Sequence, residues 1–339
     1  MDRDEFGWVE AVNITILVDN RVDLIVKSND SVKYFTDQAL LAEHGFSALV
    51  QFPGGTPVGS TKGELGGDRK ILWDAGVSRI ALMENLRRME IDPRSVGLIA
   101  LSHGHHDHCA ALSEFLAELN LGYESKEWAE PITADKVAGW MGANLVPVIV
   151  HPAAFRERWW KKEDGTWVGP MTPPPRLEWE ALGGIIRCSE TPYPLRSGCW
   201  TTGYVPRKSF EHSGRPVRLY YRQGDTLTPD DLEEDQAIVI NVKGKGLVIL
   251  SGCAHAGIIN TVNYAREFSG IDRVYAIIGG FHLARSKPDE IQATIDAVQE
   301  LQPEFLVPSH CTGFEAICAF SRQMPDQFVL GVVGATYQF

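Results

Sequence analysis

Four potential metal ligands lie within six residues of this 339-residue chain. The segment 101–110 reads LSHGHHDHCA, and its candidate ligands are His103, His105, Asp107 and His108. Of the ten histidines in the chain, four lie at positions 103, 105, 106 and 108. Crowded imidazoles repel one another once protonated, and a bound cation removes that repulsion, because neutral imidazole and carboxylate are ligands that zinc-like ions favour. The segment therefore predicts a metal site, and a polar loop that is merely rich in histidine is the alternative. His106 alternates away from its neighbours, and we expect it not to ligate.

Two further turns carry candidate ligands directly after apolar runs. LVILSGCAHAG places Cys253 and His255 after one run, and FLVPSHCTG places His310 after another. Four residues on one turn cannot complete two metal shells, so ligands from other strand ends are expected. A structural histidine at a helix N-terminus is the alternative for His255 and for His310. Three such turns that converge on one edge of a sheet favour the metal site.

Two other histidines are candidates for contact with a substrate. His282, in AIIGGFHL, ends an apolar run and follows two glycines, which allow close backbone approach. We predict that it contacts substrate or donates a proton, and a buried structural role is the alternative. His44, in AEHGFS, is a candidate of the same kind.

The elements around the first cluster are a strand and a helix. The run 96–101 is apolar and β-branched, and 110–119 has helical spacing, so the cluster lies on a strand-to-helix turn, where open α/β sheets usually place ligands. The predicted strands are Val12–Val18, Phe46–Phe52, Lys70–Trp73, Val96–Leu101, Val146–Val150, Ala237–Val242, Leu247–Leu250, Val274–Ile278, Phe305–Val307 and Phe328–Val333. The predicted helices are Arg79–Met89, Ala110–Leu119, Ile258–Phe268, Asp289–Leu301 and Phe314–Met324. Strands in excess and in mixed order predict stacked sheets with helices outside.

Composition limits the classes of function. Hydrophobic residues at 44% and charged residues at 22% are typical of a globular protein. The net charge of −12 argues against nonspecific binding of nucleic acid, which needs a basic surface. The N-terminus lacks the pattern of a signal peptide, and no apolar run approaches the roughly 20 residues of a membrane helix. Six cysteines without a C-x-x-C pair complete the expectation of a reduced cytoplasmic protein that binds neither nucleic acid nor membrane.

Residues 123–215 differ from the rest of the chain. Seven of the nine tryptophans lie between positions 128 and 200, together with a run of three prolines at 173–175. We interpret this range as a Trp-rich insertion on a single domain of residues 1–339. Exposed tryptophans would suit a lid or a contact in a homo-oligomer. The alternative is that they pack the insertion onto the core.

The signature at 103–108 matches H-x-H-x-D-H, and the chain resembles the metallo-β-lactamase superfamily. Ile71–Gly76, which reads ILWDAG, is similar to the D-x-G strand end of that superfamily. Other stretches resemble one branch, that of the archaeal dihydropterin-methyl-ribofuranosylaminobenzene-phosphate synthase. These stretches are Leu17–Asn20 (LVDN), Glu43–Ser47 (EHGFS), Thr202–Arg207 (TGYVPR), Ser251–Gly257 (SGCAHAG), Gly279–His282 (GGFH) and Ser309–Gly313 (SHCTG).

The resemblance implies an α/β (α+β) fold, a four-layer αββα sandwich with a metal centre along one edge. It assigns His103, His105 and His255 to a first metal, and it assigns Asp107, His108 and His310 to a second. The expected cofactor is two zinc ions, with manganese, iron and magnesium as alternatives. The chain departs from the superfamily pattern at 201–204 (TTGY), where a histidine is usual, and at Cys253, where a bridging aspartate is usual. Whether Cys253 bridges two metals is therefore open, although a thiolate would favour zinc-like ions.

The expected function is hydrolysis of a small-molecule ester, lactone or phosphoester by metal-activated hydroxide, with Asp107 and His282 as catalytic residues. One alternative, implied by the branch, is a transferase that joins a pterin-methyl pyrophosphate to a ribosylated aminobenzene phosphate. Arg207 would then bind phosphate, since guanidinium pairs with phosphate bidentately, although a solvated surface charge is the plainer interpretation. His44 would contact substrate in either case. The remaining alternative is a non-catalytic metal-binding protein.

Overall fold

Short strands dominate the part of the chain that the computed structural model describes, namely residues 3–53, 70–120, 145–211 and 218–339. The strands are β1 (Asn13–Val18), β2 (Val32–Tyr34), β3 (Ser47–Gln51), β4 (Lys70–Trp73), β5 (Val96–Ala100), β6 (Val146–Val150), β7 (Arg158–Lys161), β8 (Trp167–Met171), β9 (Gly184–Cys188), β10 (Tyr193–Arg196), β11 (Cys199–Thr201), β12 (Leu219–Gln223), β13 (Thr226–Pro229), β14 (Ala237–Val242), β15 (Gly246–Ser251), β16 (Val274–Gly280), β17 (Phe305–Ser309) and β18 (Ala335–Gln338). The helices are α1 (Arg3–Phe6), α2 (Arg79–Arg88), α3 (His106–Cys109), α4 (Leu112–Leu119), α5 (Arg176–Ala181), α6 (Ile258–Ser269), α7 (Pro288–Leu301) and α8 (Phe314–Gln323).

Two large sheets face each other. The first sheet has the strand order β2-β18-β1-β3-β4-β5-β6-β9, and the second has the order β10-β11-β14-β15-β16-β17. In the first sheet β4, β5, β6 and β9 run parallel, and in the second β15, β16 and β17 run parallel. Parallel neighbours bring successive carboxyl ends to one edge of a sheet, which is where ligands bind in open α/β sheets.

Alternation along the strands divides the interior into three layers of apolar packing. In β14 the side chains of Ile238 and Ile240 pack between the two sheets, whereas Val239 points to the opposite face, against the helices. Helices α6, α7 and α8 cover the outer face of the second sheet, through side chains such as Val262 and Ile295. Helices α2, α4 and α5 cover the outer face of the first. The four layers are helix, sheet, sheet and helix, which confirms the αββα sandwich.

Each predicted strand and helix except one corresponds to an observed element, whereas the strands β2, β7 to β13 and β18 were not predicted. The predicted strand Phe328–Val333 is wrong, because these residues form only an isolated bridge to Leu306, and the last strand is β18. The N–H groups of this segment find scattered acceptors, such as Leu306 O for Val329 and Arg21 O for Val333. The run is apolar because it is buried or half-buried, but its pairing with β17 is limited to the bridge at Leu306 and does not extend into a regular ladder.

The range predicted as a Trp-rich insertion, 123–215, contributes to all three sheets of the described chain. Strands β6 and β9 lie in the first large sheet, and β10 and β11 lie in the second. The small third sheet, β13-β12-β7-β8, combines strands from inside this range with strands that follow it. Trp179 is fully buried against the first sheet, and Trp167 is 42% exposed, so the tryptophans serve different purposes. Trp128 and Trp140 lie outside the described residues.

None of the helices in the described ranges combines the length and apolarity that a membrane crossing requires.

Candidate metal centre

All the side chains predicted as metal ligands lie at one edge of the sandwich. The first sheet supplies the turn after β5, which carries residues 103–108. The second sheet supplies the turn after β15, with Cys253 and His255, and the turn after β17, with His310. The carboxyl ends of parallel strands therefore meet across the two sheets, as the sequence predicts.

One ligand group consists of three histidines. The ring nitrogens of His103, His105 and His255 all lie within 4.8 Å of one another. The Nε2 atoms of His103 and His255 are 3.2 Å apart, and the rings of His103 and His105 meet edge to face at 4.5 Å. His103 is buried, and the other two are partly exposed, so the group lies just inside the surface.

The second ligand group consists of a carboxylate and two histidines. Asp107, His108 and His310 also hold their ligand atoms within 4.8 Å. His310 Nε2 lies 3.2 Å from His108 Nε2 and 3.3 Å from Asp107 Oδ2. Asp107 also lies 3.7 Å from His108 Nε2. These are the residues that the family resemblance assigns to a second ion.

The spacing and orientation of the nitrogens fit divalent ions. Two nitrogens bound tetrahedrally at about 2.0–2.1 Å from one ion lie roughly 3.3 Å apart, which matches both Nε2 pairs. The opposite nitrogen, Nδ1, is engaged by oxygen: that of His103 by Ser102 Oγ at 2.8 Å and that of His108 by Asp74 Oδ2 at 2.7 Å. These partners favour a proton on Nδ1 of His103 and His108. The Nε2 atoms of both rings then face a neighbouring histidine, where an ion or a proton can bind between the two nitrogens.

Asp74 supports the second group from behind. It is fully buried, and it also accepts hydrogen bonds from the backbone N–H and the hydroxyl of Ser102, both at 2.7 Å. Burial alone would lower the pKa of His108, but the Asp74 carboxylate outweighs it and raises that pKa to about 9. Without a bound ion, the His108 ring is therefore protonated on both nitrogens and positively charged at neutral pH. An ion that binds Nε2 would displace one of these protons.

Three of the other candidate ligands, His103, His105 and Asp107, are already in the protonation state that an ion requires. Burial lowers the pKa of His103 well below its ordinary value and that of His105 to about 4, so both imidazoles are neutral at pH 7. Burial opposes ionisation of Asp107, but the hydrogen bond from His310 and the charges of the neighbouring histidines hold the pKa of Asp107 far below its ordinary range. This carboxylate is ionised at neutral pH.

His310 is held by the end of β1. Its backbone N–H donates to Asp19 Oδ1 at 3.2 Å, and its carbonyl accepts from Asn20 Nδ2 at 3.1 Å. Asn20 Oδ1 also faces His310 Nδ1 at 3.4 Å. His310 has a φ of +47°, an unfavourable conformation for a residue with a side chain, and these hydrogen bonds hold it there. The two residues come from the LVDN stretch, whose role the sequence leaves unassigned.

The turn that carries His255 is held by two buried acids that sequence reasoning missed. Asp235 Oδ2 accepts from the backbone N–H of Ala256 at 2.9 Å, and burial raises the pKa of Asp235 to about 6. Glu211 Oε2 accepts from the N–H of Asn260 at 2.9 Å in the first turn of α6. Neither acid stands out in the sequence, because each reaches the turn only through the fold.

Cys253 lies between the two ligand groups. Its Sγ is 3.1 Å from His108 Nε2, and it lies within 4.8 Å of ligand atoms of both His103 and His108. Cys253 also belongs to a separate cluster, which contains His282 and Cys311 and is distinct from both ligand groups. Sequence reasoning missed Cys311, which directly follows the ligand His310.

The residues predicted to contact substrate lie at different distances from the ligands. The ring of His282 lies 4.2 Å from that of His255, so it borders the first group. The side chain of His44 is 73% exposed, and its Nε2 lies 3.5 Å from Asp107 Oδ2, at the rim of the second ligand group. Arg207 pairs with Asp231 at 3.5 Å, and its charge acts on Asp235 behind His255. His106 is exposed and lies in neither group.

Comparison with known proteins shows what this chain is similar to. A family model for the metallo-β-lactamase superfamily matches residues 64–185. The chain is 28% identical over 309 residues to the Methanocaldococcus jannaschii protein 7,8-dihydropterin-6-methyl-4-(beta-D-ribofuranosyl)-aminobenzene-5'-phosphate synthase, covering 88% of this chain and 94% of that protein. It is also 28% identical over 313 residues to an uncharacterised protein of the same organism, covering 92% of this chain and 98% of that protein.

Solved structures share the fold. The structure of Tm1679, a metal-dependent hydrolase of the beta-lactamase superfamily, aligns with a TM-score of 0.64 at 22% sequence identity. The alignment covers 96% of this chain and 98% of that one. The metallo-β-lactamase fold protein YhfI from Bacillus subtilis aligns over 97% of this chain with a TM-score of 0.51 at 9% identity. At these identities the likeness concerns the fold alone.

Proposed function

The chain belongs to the metallo-β-lactamase superfamily, and we propose that it is a metal-dependent hydrolase of a small-molecule ester, lactone or phosphoester. The observation that carries this proposal is the pair of ligand groups, three histidines beside an aspartate and two histidines, at one edge of the sheets. Two adjacent divalent ions are the centre that many hydrolases of esters and phosphoesters use. The intact groups also count against a non-catalytic role.

Bound divalent ions would supply water with its pKa lowered from about 16 to about 7, and a positive charge to stabilise the oxyanion that develops during attack. The protein contributes orientation, because Asp74 and Ser102 fix the rings of His108 and His103 before any ion arrives. Asp107 is ionised and 23% exposed, so it can bind an ion and accept a hydrogen bond from attacking water. His282, beside His255, is our candidate for proton transfer to the leaving group.

Metal repletion tests the proposal. Chelated protein is incubated with zinc, manganese or magnesium and assayed on a panel of esters, lactones and phosphodiesters. We expect turnover that returns only with metal. His103→Ala should lower kcat/KM by at least about a hundredfold, since removing even the outer partner of a ligand often costs 10–100-fold. His106→Ala, which changes an exposed neighbour outside both groups, should retain activity. Absence of metal-dependent turnover on the whole panel would reject hydrolysis.

A second candidate function rests on one relative. The chain resembles the M. jannaschii synthase over 309 residues, more of its length than the family model covers. In this alternative the protein joins a pterin-methyl pyrophosphate to a ribosylated aminobenzene phosphate and releases pyrophosphate. Arg207 would bind phosphate, for which its planar guanidinium is suited.

Pyrophosphate release separates the two candidates. The protein is incubated with the pterin-methyl pyrophosphate, with and without the ribosylated aminobenzene phosphate. Release that requires both substrates would support the transferase, and Arg207→Ala should then raise KM for a phosphorylated substrate. Its matched control is Lys208→Ala, which changes the neighbouring exposed cation, paired with Glu267. No release with both substrates present would discard this candidate.

A further inference from the structure

A cluster of two cysteines and one histidine adjoins the ligand groups on the side of the second sheet. Cys253 follows β15, His282 follows β16 and Cys311 follows β17, so the three come from the ends of adjacent parallel strands. Their ligand atoms lie within 4.8 Å of one another. The cluster has no member in either histidine group, although Cys253 lies between those groups, and the proposed hydrolysis makes no use of Cys311.

Contacts within the cluster bring the sulfurs together. The Sγ atoms of Cys253 and Cys311 and one ring nitrogen of His282 are all within 4.8 Å of one another. The Cys311 thiol lies 3.5 Å from the carbonyl of Cys253. A tetrahedral ion at about 2.3 Å from two sulfurs holds them roughly 3.8 Å apart, so the cluster needs little movement to accept one.

The backbone that carries the cluster is held in place before binding. Gly280 N donates to Gly252 O at 3.0 Å, and Phe281 N donates to Thr312 Oγ1 at 3.0 Å, which ties the three turns together. A Cβ at Gly280 would lie 2.6 Å from Cys311 Sγ, so only glycine leaves room for this sulfur. A site held in this way loses little conformational entropy when an ion binds.

The donor set selects the class of ion. Two sulfurs and an imidazole nitrogen match the ligands of zinc, cadmium and copper(I), whereas magnesium and calcium prefer oxygen. The histidine groups, with a carboxylate and no sulfur except Cys253, are less selective. The two kinds of site should therefore differ in the metals that they accept.

We propose that Cys253, His282 and Cys311 form an additional binding site for a soft divalent ion, beside the two histidine groups and joined to them through the Cys253 thiolate. The site leaves a fourth tetrahedral position for water or for a ligand. Occupancy would place positive charge next to the substrate edge and would engage His282, so soft ions in excess should alter catalysis.

Titration with cadmium tests the site. Metal-free wild-type protein is titrated with Cd²⁺ while thiolate-to-cadmium charge-transfer absorption and bound metal are followed. We expect the wild type to bind one equivalent more than Cys311→Ser and to show the stronger thiolate absorption. His282→Ala should also lose the additional equivalent, which keeps the test decisive if Cys311→Ser does not fold. Cys318→Ser is the matched control, because Cys318 lies in α8 outside the cluster.

Equal cadmium stoichiometry and equal absorption in the wild type and Cys311→Ser would overturn the proposal, and so would loss of the additional equivalent in Cys318→Ser. The readout is a difference in bound metal between variants, and it does not depend on turnover or on how many ions the histidine groups hold. Failure of the hydrolase proposal would therefore leave this result unchanged, and failure here would leave the hydrolase proposal standing.

Discussion

Asp74 lies outside both candidate ligand groups and orients the side chains that form them. It accepts three hydrogen bonds, from the His108 ring and from the backbone and hydroxyl of Ser102. Asp74→Asn preserves the shape of the side chain, but it replaces one of two accepting oxygens with an NH₂ group, which cannot accept from His108 or Ser102. We expect the affinity for the second ion to fall by about 10–100-fold, measured by competition with a chromogenic chelator. Asp272→Asn, whose carboxylate is 94% exposed, is the control, and equal affinity in the two variants would contradict this role.

The raised pKa of Glu234, which lies outside both ligand groups, predicts that stability depends on pH. Burial raises the pKa of Glu234 to about 7, although Arg158 donates to it at 2.7 Å. The folded state then binds this proton more tightly than the unfolded chain, so the free energy of unfolding declines as pH rises from about 4.5 to about 7. Relative to Glu234→Gln, the wild type should lose on the order of 2–3 kcal/mol across this window in denaturant titrations. A constant difference between the two proteins would contradict the shift.

At the residue scale, the sequence is informative where several potential ligands lie close together in the chain. The ligands at 103–108 are recognisable because four of ten histidines share one turn. His255 and His310 are recognisable because each follows an apolar run. Asp235 and Glu211 are ordinary acids in ordinary loops, and only the fold brings them to the turn of His255. Cys311 escaped notice because a single cysteine next to a ligand has no spacing pattern of its own.

At the scale of elements, apolar runs predict strands well when a neighbouring strand is available. The runs at β5, β14 and β15 are buried on both faces and pair along their length. The run 328–333 is also apolar, but it meets β17 at a single bridge, and other N–H groups of the run bond elsewhere, as Val333 N does to Arg21 O. The sequence did not predict the third sheet, because a strand such as β8 exposes all its side chains and therefore shows no apolar run.

Helix α6 depends on an acid from another segment for its first turn. Glu211 Oε2 accepts from Asn260 N at 2.9 Å and from Ser209 Oγ at 3.0 Å, and no side chain at the N-cap position does this. Glu211→Ala should lower the free energy of unfolding by about 1–3 kcal/mol, because it leaves buried N–H groups unpaired at the positive end of the helix. Chemical denaturation measures the change. Glu267→Ala, on the same helix and 60% exposed, should change it by less than about 0.5 kcal/mol.

An equal loss in Glu211→Ala and Glu267→Ala would contradict the capping role of Glu211. The comparison is matched because both changes remove one carboxylate that contacts this helix or its partner segment. Glu211 is buried and accepts from the first turn of the helix, whereas Glu267 is exposed and pairs with Lys208.

At the scale of the whole molecule, the candidate ligands come from both large sheets. His103, His105, Asp107 and His108 follow a strand of the first sheet, and Cys253, His255 and His310 follow strands of the second. An ion in either group would therefore bind residues from both halves of the sandwich. Since unfolding separates them, ion binding should stabilise the folded state.

Chelation should therefore lower the melting temperature. An ion at 100 to 1,000 times its dissociation constant adds roughly 3–4 kcal/mol, which corresponds to a shift of several degrees in a chain of this size. Differential scanning calorimetry with and without chelator measures it. His255→Ala should show a smaller shift than the wild type. An unchanged melting temperature after verified removal of metal would contradict an ion that joins the sheets.

The most direct test of the binuclear centre is anomalous diffraction from crystals of the zinc-loaded protein at the zinc edge. We predict one peak within about 2.3 Å of the ligand atoms of His103, His105 and His255, and another at the same distance from those of Asp107, His108 and His310. A further peak at the cluster of Cys253, His282 and Cys311 is compatible with the account. No peak at either histidine group, in protein that retains zinc by elemental analysis, would contradict it.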